Sequence, residues 1–299
     1  MSATLIARRL VRLTIPDWIQ VAVLATLLML TLAGWNDVAA APRGALVYVA
    51  LIATVVTTRK AAARYARMQV VADFLPIVVV TLSYLNLNPA IDATTPVLYD
   101  AQLANVDTAI FGATPALVLQ HLAHPWVVEV LSVSYLTYYF WPIVLAVWIY
   151  QRQRALFESY VTAVLLCMLL NQVAYVLVPA VGPRFYLAEA FAAPLEGVLL
   201  GPLILEQLRH APILRDCFPS GHTATTLLVL LYAWRYARAV AWVMTPVALL
   251  LFAATILCRF HYGVDLVGSV ALVALSFALA PLLPYFALLV KAPAVAPAR

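Results

Sequence analysis

An all-α polytopic membrane helical bundle, with about eight transmembrane helices, is the fold this sequence predicts. Hydrophobic residues make up 65% of the 299 positions and charged residues only 10%. A soluble domain carries about 25% charged residues, so a soluble globular enzyme and a disordered chain are both excluded. The apolar runs are long and unbroken, whereas a membrane barrel shows short segments of alternating polarity. The net charge is +5, but basic residues punctuate the apolar runs instead of forming a patch, so no nucleic-acid partner is expected. Cys167, Cys217 and Cys258 form no CxxC pair, which gives no sign of a zinc knuckle or redox motif.

A helical span needs ~20 mostly apolar residues. Eight runs are read as spans: 17–35, 44–58, 70–86, 126–150, 156–180, 219–236, 239–258 and 264–290. The second is short, which suits little tilt or flanking arginines that snorkel. Charge alternation orients the set. With the N-terminus in the cytoplasm, thirteen of the eighteen basic residues fall inside, among them Arg8, Arg9, Arg12, Arg59, Lys60, Arg152 and Arg154. Arg43, Arg184, Arg209, Arg215 and Arg259 stay outside with ten of the thirteen acids, and both termini are expected in the cytoplasm. The stretch from Arg8 to Ala41 also resembles a cleavable signal peptide; a retained first helix is the preferred reading, because the apolar run exceeds a usual signal core.

Two outer loops, 87–125 and 181–218, exceed ordinary connection lengths, so function or interfacial segments are expected there. Pro115 to His121 reads as a short amphipathic surface helix. The Ala/Pro-rich tail 291–299 reads as flexible. The organisation expected is an N-terminal region 1–69 with two additional spans, then a core at 70–290.

Polar residues are scarce, so their clustering at one face is informative. All five histidines fall in segments assigned outside. His261 and Asp265, spaced i, i+4, share one face of a helix start. There the carboxylate accepts the imidazole Nδ1–H and leaves Nε2 bare, as a histidine nucleophile or base requires. The alternative is an interfacial histidine beside a capping aspartate. Pro219-Ser220-Gly221-His222 opens another span at the same face. Ser220 suits an N-cap, Gly221 allows close approach of a ligand, and free amides make the helix start an anion site; the alternative is an ordinary capped helix. Arg184, and more weakly Arg215 and Arg259, offer guanidinium groups for phosphate oxygens or are simply snorkelling side chains.

Together these groups suit stepwise phosphoryl transfer: attack by His261, orientation by Asp265, protonation of the leaving oxygen by His222, and phosphate binding by Arg184, Ser220, Gly221, Arg259 and Arg215. A phosphohistidine would then pass to water or an acceptor alcohol. No metal and no cofactor is expected, since the protein supplies the cations.

Pro-Ser-Gly-His followed by His-Tyr-Gly-Val-Asp resembles the type 2 phosphatidic acid phosphatase superfamily. The stretches Leu103 to Asp107 with Phe111-Gly112, Tyr135 to Tyr139, and Val178 to Arg184 look like the branch containing inositol phosphorylceramide synthases and, through His-Tyr-x-x-Asp, sphingomyelin synthases. The resemblance implies a six-helix core over the last six spans and carries over His261 as nucleophile, Asp265 as its partner and His222 as acid. Arg184, Ser220 and Gly221 match its phosphate-binding positions. The phosphatase pattern has a lysine where this chain has Leu177 and an arginine where it has Thr255, a departure that fits the phosphotransferase-like branch better.

The implied substrate is a membrane lipid in the bilayer. Two other classes compete. A transporter or channel for anionic solutes would need ionisable residues at the midplane, where Asp73, Glu129 and Glu158 are the only candidates and all lie near span ends. A metal site built from His210, Cys217, His222 and His261 is disfavoured by irregular spacing. Cys217 and Cys258 lie near one face, where a disulfide is conceivable but buried thiols are the simpler reading. The tyrosines Tyr135, Tyr138 and Tyr139 either line a lipid cleft or pack at the interface. Asp107 either caps a short helix or meets a headgroup.

Overall fold

The structure, a computed structural model, describes residues 13–95 and 97–280. Arg8, Arg9 and Arg12, the end of the eighth expected span and the tail 291–299 lie outside the described residues. Among the described residues the chain is helical and contains no strand. Fourteen α-helices follow in order: α1 (Ile15–Ala33), α2 (Ala41–Arg64), α3 (Met68–Leu85), α4 (Asn88–Thr94), α5 (Asp100–Phe111), α6 (Pro115–Val118), α7 (Pro125–Leu136), α8 (Trp141–Tyr150), α9 (Arg154–Leu177), α10 (Pro183–Tyr186), α11 (Leu200–Arg209), α12 (Gly221–Tyr236), α13 (Arg238–Leu257) and α14 (Gly263–Leu279). Six of the expected spans overlap one long helix each, the fourth falls on α7 and α8, and the eighth overlaps α14 as far as the described residues reach. Five helices (α1, α2, α3, α9 and α13) are long and apolar enough to cross a membrane, or six if the bent pair α7 and α8 is one span. Large side chains such as Trp18, Met29, Leu46, Trp242, Val243 and Val270 face outward, as a lipid-facing surface requires.

α9 is the hub. It is apolar around most of its circumference and buried among α1, α3, α8, α12 and α14. One core gathers α8, α9, α12, α13 and α14 around Leu145, Leu169, Leu228 and Met244. A second gathers α1 to α4 around Leu24, Tyr48, Val79 and Ile91. Over its 24 residues α9 runs about 36 Å. At its Arg154 end lies an ionic cluster, in which Arg59 bridges Asp17 at 2.7 Å and Asp73 at 3.7 Å while Arg154 also pairs with Asp73. At its Tyr175 end it meets the start of α12.

Two span expectations change. The second helix is not short: its 24 residues continue past Arg59, because pairing with Asp17 lets that guanidinium be buried inside the bundle. The fourth span is not continuous. α7 and α8 are bent by 40° about a 3-10 turn, Thr137–Tyr139. Pro142 has no amide for the carbonyl four residues back, so the helix breaks there. The bend turns Tyr138 and Tyr139 toward the start of α12, where both rings meet His222.

The two long loops are built of short helices, including the expected turn at 115–121, seen as α6 and a 3-10 turn Leu119–Leu122. Glu129 on α7 accepts backbone N–H groups of Val198, Leu199, Leu200 and Gly201 and so pins the start of α11.

Candidate active site

Three loop segments converge: 180–184, 217–221 and 259–263. Backbone bonds tie them, with Arg184 N–H donating to the Arg259 carbonyl at 2.9 Å and Cys217 N–H to the Ala180 carbonyl at 3.2 Å. Gly182 is required here. Its φ is +83°, and a Cβ would lie 2.6 Å from the Phe260 carbonyl oxygen. Arg259 also has positive φ, 63°, a strained state for a residue with a side chain. Thr255, standing where the phosphatase pattern has an arginine, accepts amides from Phe260 at 3.0 Å and His261 at 2.9 Å, and so shapes this turn through its backbone.

α5 clamps the assembly. Asp100 and Asp107 are two helical turns apart and both buried, with Leu103 between them on the same face. Asp100 accepts the amides of Val181 and Gly182 and the hydroxyl of Tyr262. Asp107 accepts the amides of Gly263 at 3.0 Å and Val264 at 2.7 Å, which decides its role: it caps α14 from a distance.

Inside this frame the predicted histidine pair comes together. His261 is 4% exposed, and its Nδ1 lies 3.1 Å from Asp265 Oδ2 and 2.9 Å from the Cys217 carbonyl oxygen. Two acceptors at one nitrogen fix the proton there, so Nε2 carries the lone pair. Asp265 also accepts the Tyr262 amide and the Cys217 thiol, each at 2.9 Å. Burial beside Asp265 pushes the Cys217 thiol well above its ordinary range, so it remains protonated.

His222 stacks on Tyr135 with ring centroids 4.1 Å apart, and its Nδ1 is hydrogen-bonded to the Tyr135 hydroxyl at 3.0 Å. Its ring centroid is 6.3 Å from that of His261. Ser220 caps α12 by accepting the Thr223 amide. Gly221 is forced by the protein rather than by a ligand: a Cβ would lie 2.5 Å from the Asn171 amide oxygen and 2.6 Å from the Tyr175 hydroxyl. Tyr175 accepts the Gly221 amide, which leaves His222 N–H as the first-turn donor without a partner among the described residues. Arg184 lies with its guanidinium over Phe260 and Phe185.

Buried polar atoms without partners concentrate at this site: among the described residues they include His222 Nε2, Arg184 Nε, Thr223 Oγ1 and Asp265 Oδ1. Such atoms are rare in folded proteins, and their presence beside the histidine pair fits a site for a polar ligand. Arg215 is engaged elsewhere, and Arg259 uses a terminal nitrogen elsewhere while its Nε is another buried atom without a partner among the described residues. Arg215 pairs with Asp92 at 2.6 Å, and Arg259 donates to the Ala193 carbonyl and stacks on Phe191. The suggested ligand set with His210 is not assembled, because that side chain is exposed and bonded to Glu206. Cys217 and Cys258 are both free buried thiols.

Beside His222 opens a largely apolar cavity of about 160 Å³, lined by α3, α8, α9 and α12. Tyr84, Tyr138, Tyr139, Tyr175 and Asp216 gather at its polar end. Asp216 accepts the Tyr84 hydroxyl. Sequence reasoning missed Asp216 and Tyr84, since neither carries a spacing signal. Asp100 and Asp107 had one, two acids seven residues apart.

The sequence pattern of the PAP2 superfamily matches residues 101–279. The chain belongs to this superfamily. A PA-phosphatase related-family protein of Dictyostelium discoideum is 25% identical over 167 residues, covering 47% of this chain and 30% of that protein. This chain thus spans under a third of that relative's length. No solved structure matches. PAP2 membership and the long apolar helices fit an integral membrane protein. The matched region contains all three converging loops and Asp107 of α5, and begins one residue after Asp100.

Proposed function

We propose that this PAP2 protein is a membrane lipid phosphatase or phosphotransferase that works through a phosphohistidine. Its substrate would be a lipid phosphate, diphosphate or phosphodiester headgroup at the extracytoplasmic face. One observation carries the reading: His261 has Nδ1 doubly held and Nε2 free, with His222 6.3 Å away ring to ring.

The Nε2 lone pair attacks phosphorus and the bond to the leaving oxygen breaks. Asp265 and the Cys217 carbonyl keep the Nδ1 proton in place while the ring becomes positive. With Tyr135 on its Nδ1, His222 gives its Nε2 proton to the leaving oxygen. Arg184 and the His222 amide are positioned to take the phosphate oxygens. In the second half His222 draws a proton from water or from a lipid alcohol, whose oxygen displaces the imidazole. The resemblance to the inositol phosphorylceramide and sphingomyelin synthase branch, and the amphiphilic cavity at His222, favour a lipid alcohol as one acceptor. The positive-inside pattern supports a cytoplasmic N-terminus. The 36 Å of α9 then carries the site to the other face. The N-terminal pair α1 and α2 is an addition to a six-helix catalytic core.

Two of the three acids that an anion transporter would place along a path are engaged elsewhere: Asp73 is ion-paired and Glu129 holds four amides.

The test is an assay of purified detergent-solubilised protein in EDTA on lipid phosphates, prenyl diphosphates and phospholipids, with and without ceramide or diacylglycerol. Released phosphate or a new phospholipid, absent with His261→Ala, is the expected result. Equal activity in wild type and variant removes His261 as nucleophile.

A further inference from the structure

Cys217, His261 and Asp265 hold more chemistry than the proposed phosphoryl transfer uses. Sγ, Nδ1 and a carboxylate oxygen of these three buried residues lie within 4.8 Å of one another. The edges of this triangle are 2.9 Å from Sγ to Oδ2, 3.1 Å from Nδ1 to Oδ2 and 3.7 Å from Sγ to Nδ1. A tetrahedral zinc ion with bonds of ~2.0–2.3 Å spaces its ligands roughly 3.2–3.7 Å apart, so the carboxylate must move slightly away from both the thiol and the imidazole. The Cys217 carbonyl oxygen, 2.9 Å from Nδ1, is a fourth donor beside them. The same carboxylate carries a second, independent sign of an unmet need: its Oδ1 is buried without a hydrogen-bond partner. Thiolate, imidazole and carboxylate together suit a thiophilic divalent cation and not a hard one such as Mg²⁺.

We propose that this triad binds Zn²⁺ or Cd²⁺, and that binding switches the enzyme off. The thiol proton leaves to solvent as the sulfur–metal bond forms. The Nδ1 proton is exchanged for a nitrogen–metal bond, and the neutral ring takes a proton on Nε2. That proton occupies the lone pair that attacks phosphorus. One metal ion enters, one proton is released in net, and the nucleophile is lost. The inhibitory consequence rests on His261 being the nucleophile; the binding does not. The cation is an inhibitor here and takes no part in the forward reaction.

The experiment uses the full chain in detergent, stripped with chelator and titrated with Cd²⁺ while thiolate-to-metal absorption is followed. Absorption saturating at one equivalent is expected in wild type and in a Cys167→Ser/Cys258→Ser variant. It is expected to be absent in Cys217→Ser and weakened at least tenfold in Asp265→Asn. Because one proton is displaced, affinity falls about tenfold per unit drop in pH. In parallel, Zn²⁺ is expected to inhibit lipid turnover reversibly, and Cys217→Ser to need at least tenfold more Zn²⁺ for half inhibition of its own zinc-free rate. Absorption that survives in Cys217→Ser, or equal zinc sensitivity of the two proteins, overturns the proposal. A zinc-free wild type inactive on every lipid counts against the proposed function alone, since the absorption titration still decides the metal site.

Discussion

At the residue scale, the direction in which each histidine presents its two nitrogens decides its chemistry. His261 spends Nδ1 on Asp265 and the Cys217 carbonyl, and His222 spends Nδ1 on Tyr135. Asp265→Asn keeps the shape but loses the charge that stabilises an imidazolium. Turnover is expected to fall roughly 10⁴-fold, as when the orienting acid of a serine–histidine–aspartate triad is lost. His222→Ala is expected to lower turnover of a lipid monophosphate by about 10²–10⁴-fold. The same variant should affect p-nitrophenyl phosphate far less, because that leaving oxygen needs no proton; equal losses on both substrates would remove His222 as the acid. Gly182→Ala forces a side chain into positive φ against the Phe260 carbonyl. It is expected to destabilise by at least about 1–3 kcal/mol, read as a lowered unfolding temperature in detergent, with activity lost in step.

At the element scale, short helices in the long loops position the catalytic ones. α5 sends Asp100 to the 181–182 turn and Asp107 to the start of α14. Asp107→Ala removes a cap, and a loss of about 0.5–2 kcal/mol is expected in the same thermal measurement. Ser or Asn at 107 should recover part of it. The break between α7 and α8 belongs to Pro142, and it leaves Tyr135 and Tyr138 packed against His222. Glu129 holds the first amides of α11, so Glu129→Gln is expected to loosen that helix start and speed proteolysis within 191–199 under native conditions. Unchanged cleavage would mean that apolar packing of α11 on α7 suffices.

At the scale of the whole molecule, α9 joins two polar ends of an apolar bundle. One end is the candidate active site. The other is the network of buried Asp17, Arg59 and Asp73 with the exposed Arg154, which links α1, α2, α3 and α9. Breaking a buried pair strands a charge. Arg59→Ala is therefore expected to cost about 3–5 kcal/mol, whereas replacing Arg59, Asp17 and Asp73 together with apolar residues should cost much less. Thermal unfolding of the single and triple variants separates these outcomes. The network ties α1, α2 and α3, which lie outside the superfamily match, to α9 of the bundle.

Much of this architecture was legible from composition and spacing. Long apolar runs locate the main helices, because a bilayer demands hydrogen-bonded backbone wrapped in apolar side chains, and five or six of these helices are long and apolar enough to cross it. The short spacing of His261 and Asp265 keeps them close, but not on one helix face as expected: α14 starts at Gly263, and Asp265 in its first turn reaches back across the Tyr262 cap to His261. Ser220 before Gly221 reads as a cap for the same local reason. Tertiary structure alone decided the rest. It brought Cys217 to His261 from 44 residues away and set Tyr135 under His222 from 87 residues away. It buried Arg59 beyond the apparent end of the second span. It also engaged Arg215 and Arg259, the weaker phosphate-binding candidates, with other partners. Local periodicity determines which face a residue takes; only packing between helices determines what that face meets.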